Sequence, residues 1–227
     1  MMAMEALAGT WTAVGLGVAI GLALGWLCDL LCRREAGLTV CRRDRVLQWT
    51  GLAVLTALVS AYLQRTFGWG LQFARLLSYS SLLLLIAAVD LRTRLVPNVL
   101  TASGLVLALG FSLAFPSPGL LSALEGAALA CALFLLLALV GRSAMGFGDV
   151  KLAALIGLMT GFPWVVQALI LGITLGGLAA AVFLLAGLRR PKQYIPYAPY
   201  LAAGAVATLL CGQRIASWYA ALRSSKG

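Results

Sequence analysis

The sequence predicts an all-α fold, a polytopic integral membrane helical bundle of about eight transmembrane segments. Three observations predict it. Hydrophobic residues make up 62% of the 227-residue chain and charged residues 11%, with mean hydropathy +1.00, which excludes a soluble globular domain. Apolar runs close to the roughly 20 residues that cross a bilayer recur along the whole length. Finally, Lys and Arg gather on alternate connections between those runs.

The first segment, at about 9–27, is preceded by a single charge, Glu5, and by no Lys or Arg. A signal peptide would carry a basic leader, so an uncleaved first span is expected. Its Gly15, Gly17, Gly21 and Gly25 suit close helix packing in lipid. A basic stretch at about 28–47 follows, too short to build a core of its own. It is expected as a short cytoplasmic loop with the character of an amphipathic helix on anionic headgroups. Cys28, Cys32 and Cys41 border it, but they form no Cys-x-x-Cys pair and the chain has no histidine. A tetrahedral zinc site is therefore not expected, and no metal is assigned.

The second segment, at about 47–63, is followed by a third at about 74–90 that ends on Asp90. Pro97 breaks the chain beyond it, and Asn98 is a good N-cap for the fourth segment, at about 98–115. The fifth runs at about 120–140, with Glu125 near its outer end and Cys131 as a mid-span packing residue. The sixth, at about 150–162, rises only about 18 Å before Gly161-Phe162-Pro163, short of a hydrocarbon core of roughly 30 Å. A half-helix, an extension through Pro163 or shielding by neighbours would each accommodate it. The seventh, at about 163–187, and the eighth, at about 197–215 with Cys211 inside it, complete one integral domain over 1–227 with no soluble module.

The net charge of +10 would suit nucleic acid were it not so unevenly distributed. Twelve cations (Arg33, Arg34, Arg42, Arg43, Arg45, Arg92, Arg94, Arg142, Lys151, Arg189, Arg190 and Lys192) fall on one set of connections and five on the other. That is the positive-inside pattern, which puts the N-terminus outside and both aspartate loops in the cytoplasm. The partner it implies is the lipid surface, with no nucleic acid.

Asp90 and Asp149 each stand at the end of a very hydrophobic segment, in a chain with only seven acidic residues. Such groups are costly near a membrane unless they are paired or functional. With no histidine as general base, two carboxylates whose pKa values are pushed apart can divide the acid and base roles. The plainer reading of Asp90 is contact with Arg92 or Arg94 at the surface. The plainer reading of Asp149 is an N-cap for a helix starting at Val150. Gly146 and Gly148 before it also remove side chains beside the carboxylate, which lets an extended peptide approach. Lys151 reads as a snorkelling cation. The Tyr194–Pro199 stretch, with Pro196 and Pro199, reads as an interfacial belt, with a rigid wall of a site as the functional alternative.

Asp90 with six residues before Pro97-Asn98, then Gly146-Phe-Gly148-Asp149-Val-Lys151-Leu, then Tyr194-Ile-Pro196-Tyr-Ala-Pro199-Tyr, in that order, resembles the type IV prepilin peptidases, membrane aspartyl proteases of the Gly-x-Gly-Asp type. The resemblance covers roughly residues 80–210. It implies an aspartic endopeptidase of the bacterial inner membrane, with Asp90 and Asp149 as the catalytic pair facing the cytoplasm. Gly146, Gly148, Lys151, Pro97, Asn98, Pro196 and Pro199 would shape the site or bind substrate. It implies a prepilin or pseudopilin substrate from type IV pilus or type II secretion systems. Many members then methylate the new N-terminus, so S-adenosylmethionine is implied as a cofactor where that step is retained. The larger members carry paired Cys-x-x-Cys motifs in an extended loop after the first span; here the loop is about twenty residues. Two other classes compete. A small transporter would carry charges deep inside spans and duplicated halves, and a non-enzymatic pilus or secretion assembly factor would tolerate Asp90→Asn.

Overall fold

The computed structural model describes the backbone of residues 2–36, 42–116, 118–140, 146–186 and 196–224, and their side chains apart from 2–7, 36, 42 and 213–224. Cys41, Arg142, Arg189, Arg190, Lys192, Tyr194 and Ile195 lie outside the described residues. Eight helices stand among them: α1 (Met2–Ala36), α2 (Arg42–Phe67), α3 (Leu71–Thr93), α4 (Asn98–Ala114), α5 (Leu120–Val140), α6 (Phe147–Thr160), α7 (Trp164–Leu185) and α8 (Ala198–Ser224). Five of them, α1, α2, α3, α5 and α7, are long and apolar enough to cross a membrane. The α4 helix and the described apolar part of α8 are shorter. Large apolar side chains such as Leu58, Val106, Leu121 and Leu185 are exposed along these helices, as suits a lipid solvent and not water. The chain is a multi-pass membrane protein.

It divides into two compact units, residues 1–104 and 105–227, with α4 crossing the division. In unit 1, α1 and α2 pack through the small-residue face expected from the sequence. A Cβ added at Gly17 would lie 2.5 Å from the Ala57 Cα, and one at Gly25 2.8 Å from the Trp49 ring. Gly21 is equally closed, against Ala53, whereas Gly15 meets nothing and takes no part in the seam. The Thr56 hydroxyl crosses the seam to donate to the Gly17 carbonyl at 2.7 Å. Helix α3 is the most enclosed of the five long helices, with Leu83, Ile86 and Val89 fully buried.

The basic stretch at about 28–47 is for the most part helical, not loop. Its first part continues α1 to Ala36, and its last part opens α2 at Arg42. The physical reason is a polar clamp: the Asp29 carboxylate of α1 pairs with Arg45 of α2 at 3.0 Å and with Arg92 of α3. These charges are satisfied between helices, so the chain has no need to leave helical geometry in order to solvate them.

In unit 2, α6 is short because Gly161 ends it in a positive-φ conformation (φ 71°), its N–H closing onto the Gly157 carbonyl at 2.8 Å. Shielding by neighbours is the arrangement found. Apart from Lys151 and Ala154, every residue from Asp149 to Thr160 is buried. Glycine makes this possible, since a Cβ at Gly126 of α5 would stand 2.5 Å from the Gly157 carbonyl oxygen of α6. The α7–α8 pair repeats the device, with Gly204 backed onto the Gly172 backbone.

Candidate active site

Asp90 sits in the last turn of α3 and is buried, 1% exposed. The turn after it is firmly shaped. Arg94 takes left-handed geometry (φ 55°) as the C-cap, and its N–H donates to the Asp90 carbonyl at 2.8 Å. The Leu95 N–H donates to the Thr93 hydroxyl at 3.2 Å. Pro97 is buried, and its carbonyl accepts the first bonds of α4, from Leu100 at 3.1 Å and Thr101 at 3.2 Å. Pro97, not Asn98, therefore occupies the N-cap place: Asn98 is already the first helical residue and is exposed.

Arg92, one of the two arginines that follow Asp90, pairs with Asp29 of α1. Gln48 of α2 adds a further tie, donating to the Ala88 carbonyl of α3 at 3.0 Å and to the Cys28 sulfur at 3.3 Å. Cys28 and Cys32 are buried on α1 with their sulfurs 3.9 Å apart. Among the described residues no three His, Cys, Asp or Glu side chains converge as a metal set.

Asp149 is not the N-cap of its helix. Gly146, in extended conformation (φ −79°, ψ 149°), is the cap and Phe147 the first helical residue, so Asp149 occupies the third helical position. Its backbone N–H closes onto the Gly146 carbonyl at 3.0 Å. An acid at this place is favoured by the helix N-terminus and can reach back to the capping residue's backbone. Yet the side chain is 3% exposed. Burial is the larger influence and pushes the carboxyl up to about 6, against a smaller lowering from a Gly146 backbone hydrogen bond. Asp149 precedes the apolar run of α6 and lies outside the five spanning helices.

Around it, Gly148 is partly exposed, Phe147 points outward and Lys151 is exposed. Pro196 is buried, Pro199 half-buried, and Tyr197 between them stands just ahead of α8. The Tyr197 ring lies over Gly176, where a Cβ would come within 2.6 Å of it, and 6.4 Å from the Phe134 ring. Burial and the Asp149 charge both hold its phenol above the ordinary range, so Tyr197 is an electrostatic neighbour of Asp149.

Two of these residues escaped the sequence reading as individuals. Tyr197 was visible only as one of several boundary aromatics. Asp29 meets the same criterion that picked out Asp90, an acid at the end of an apolar run, but was hidden inside a stretch defined by its arginines.

A family model described as the type IV leader peptidase family matches residues 77–182. A relative from Bacillus subtilis (strain 168), named prepilin leader peptidase/N-methyltransferase, is 30% identical over 166 residues, which is 73% of this chain and 67% of the relative. Relatives of the same name from Aeromonas hydrophila and Pseudomonas aeruginosa are 32% and 31% identical, over 73% and 72% of this chain and 59% and 58% of theirs. The chain thus spans from over half to about two thirds of the length of these relatives. No solved structure gives a significant match.

Proposed function

The chain belongs to the type IV leader peptidase family, and from that membership we propose that it cuts the basic leader of type IV prepilins or pseudopilins at the cytoplasmic face of the inner membrane, using Asp90 and Asp149 as one catalytic unit. The observation that carries the proposal is Asp149 itself. It is a buried carboxyl in the first turn after Gly146-Phe147-Gly148, held near the protonation midpoint that acid–base work at neutral pH requires.

In this mechanism one carboxyl is ionised and the other neutral. The ionised group removes a proton from water, which attacks the scissile carbonyl. The neutral group donates a hydrogen bond to the carbonyl oxygen and stabilises the developing oxyanion. Collapse of the tetrahedral intermediate breaks the C–N bond, and the amine leaves with a proton from the acid. Burial favours the neutral form of Asp149, which suits it to the acid role. No covalent intermediate is needed, so the lack of histidine is no obstacle. Gly146 and Gly148 would leave room for an extended substrate backbone, and Pro97, Asn98, Pro196 and Pro199 would fix the surrounding turns, with Lys151 at the rim.

The relatives' names also carry N-methylation, for which S-adenosylmethionine would supply the methyl group. That cofactor brings a sulfonium and an ammonium beside one carboxylate. The polar cavity between α1 and α2 presents Arg33, Arg34 and Arg45, and its one carboxylate, Asp29, is already engaged by two arginines. The lining of this cavity does not suit those two positive groups, and no residue is assigned here to methyl transfer.

The test is to incubate the purified protein with a prepilin and follow leader release by mass spectrometry. Cleavage by the wild type, with losses of at least about a thousandfold in Asp90→Asn and Asp149→Asn at unchanged membrane insertion, is expected. Release of the leader by either variant at near wild-type rate would reject the assignment.

A further inference from the structure

At the arginine-rich end of the α1–α2 hairpin, a cavity of about 500 Å³ is lined by Trp26, Asp29, Leu30, Arg33, Arg34, Arg45 and Trp49. Nothing in the peptidase mechanism uses it. Its volume falls within the range of small-molecule sites, roughly 300–1,000 Å³. Asp29 is committed to Arg45 and Arg92, and the lining therefore keeps a surplus of positive charge. Arg33 and Arg34 are exposed and make no ion pair among the described residues. A second observation points the same way. The Trp49 indole N–H is buried and has no acceptor among the described residues, and Trp49 is one of the residues that line the cavity.

We propose that this cavity binds the phosphodiester headgroup of one anionic phospholipid. Arg33 and Arg34 would hold the phosphate oxygens, for which the planar guanidinium is well shaped. The Trp49 N–H would complete the set. The lipid source is favoured over soluble phosphate by what borders the cavity. Trp26 and Leu30, both exposed, sit on the apolar stretch of α1 below the arginines, where acyl chains and the headgroup boundary would meet them. A free phosphate would gain nothing from that apolar flank. The site lies on the hairpin that clamps α3 through Asp29 and Arg92, so its occupant would stiffen the unit that carries Asp90.

The test is native mass spectrometry of the full chain released from detergent in the presence of equimolar phosphatidylglycerol and phosphatidylcholine. The wild type is expected to retain one phosphatidylglycerol in preference to phosphatidylcholine, and millimolar inorganic phosphate is expected not to displace it. Arg33→Gln/Arg34→Gln should weaken retention about 30-fold, taking each arginine as contributing about one surface cation's attraction. Trp49→Phe keeps the ring, removes the donor, and should weaken it about fivefold. Arg65→Gln, at the other end of α2, should change nothing. Equal retention of the two lipids by the wild type would overturn the proposal. So would unchanged retention in the double variant, and displacement by inorganic phosphate would make this a soluble-anion site.

Discussion

The two units hold their aspartates by opposite means. Around Asp90 the ties are polar and long-range: Asp29 joins Arg45 and Arg92, and Gln48 reaches the Ala88 carbonyl, so that three helix ends are fixed by charge and hydrogen bonds. Around Asp149 the ties are steric. Gly126 meets Gly157, Gly172 meets Gly204, and Tyr197 lies on Gly176, with backbones as close as side-chain-free positions allow. A polar clamp depends on charge and tolerates small changes of volume, whereas a glycine seam depends on volume and is indifferent to charge. The functional counterpart is that a carboxyl can be placed either at a shaped helix end, as Asp90 is, or at the start of a helix sealed by its neighbours, as Asp149 is. At Asp149 burial raises the carboxyl pKa.

Breaking the seam should have the largest effect on the fold. Gly126→Ala puts a Cβ 2.5 Å from the Gly157 carbonyl and about 3 Å from Gly161, both backbone and neither free to rotate away. A loss of about 3 kcal/mol or more is expected, read as a lower unfolding temperature, with cleavage falling in step. Gly15→Ala, on the face that meets nothing, is the matched control and should be neutral or slightly stabilising.

The next effect runs the other way. Because burial raises the Asp149 carboxyl from 3.8 to about 6, the fold favours its neutral form. Its contribution to stability is then complete below about pH 4 and is lost as pH rises through about 6. Asp149→Asn does not titrate, so it should be catalytically dead yet more stable than the wild type above pH 6, by up to about 3 kcal/mol, with the gap closing toward pH 4. Thermal unfolding at pH 4.5 and 7.5 measures it; an equal gap at both values would refute burial as the cause.

Breaking the clamp should cost less. Asp29→Asn leaves Arg45 and Arg92 without their carboxylate, and Arg92 is largely enclosed, its side chain 13% exposed. About 1–2 kcal/mol is expected, below the cost of breaking a fully buried pair because Arg45 keeps access to solvent. Asp29→Glu should recover part of it.

How much of this was legible in the sequence follows the same division. The eight helices were, because an apolar run of given length is a local signal. So was the position of Asp90 and Asp149 at helix ends, because an acid beside such a run is conspicuous. The Gly17–Gly21–Gly25 face was legible by its spacing, but not the exclusion of Gly15, which depends on what α2 brings opposite it. The capping of α6 was misjudged at Asp149, since the preference of aspartate for N-caps is local, while Gly146 takes the extended conformation that starts the helix three residues earlier. Likewise, Pro97 replaces Asn98 as the start of α4. Contacts between residues 40 and 63 positions apart, Gln48 with Ala88 and Asp29 with Arg92, leave no local trace, and they turned the expected basic loop into the ends of two helices.

The central claim is that Asp90 and Asp149 act as one unit, and a double-mutant cycle on prepilin cleavage tests it most directly. Rates would be measured by mass spectrometry for the wild type, Asp90→Asn, Asp149→Asn and the double variant, each shown to be folded and inserted. If the two carboxyls share one reaction, the double variant should be scarcely slower than either single one, since removing either already removes the acid–base pair. Two independent, multiplying losses, or substantial cleavage by either single variant, would contradict the account.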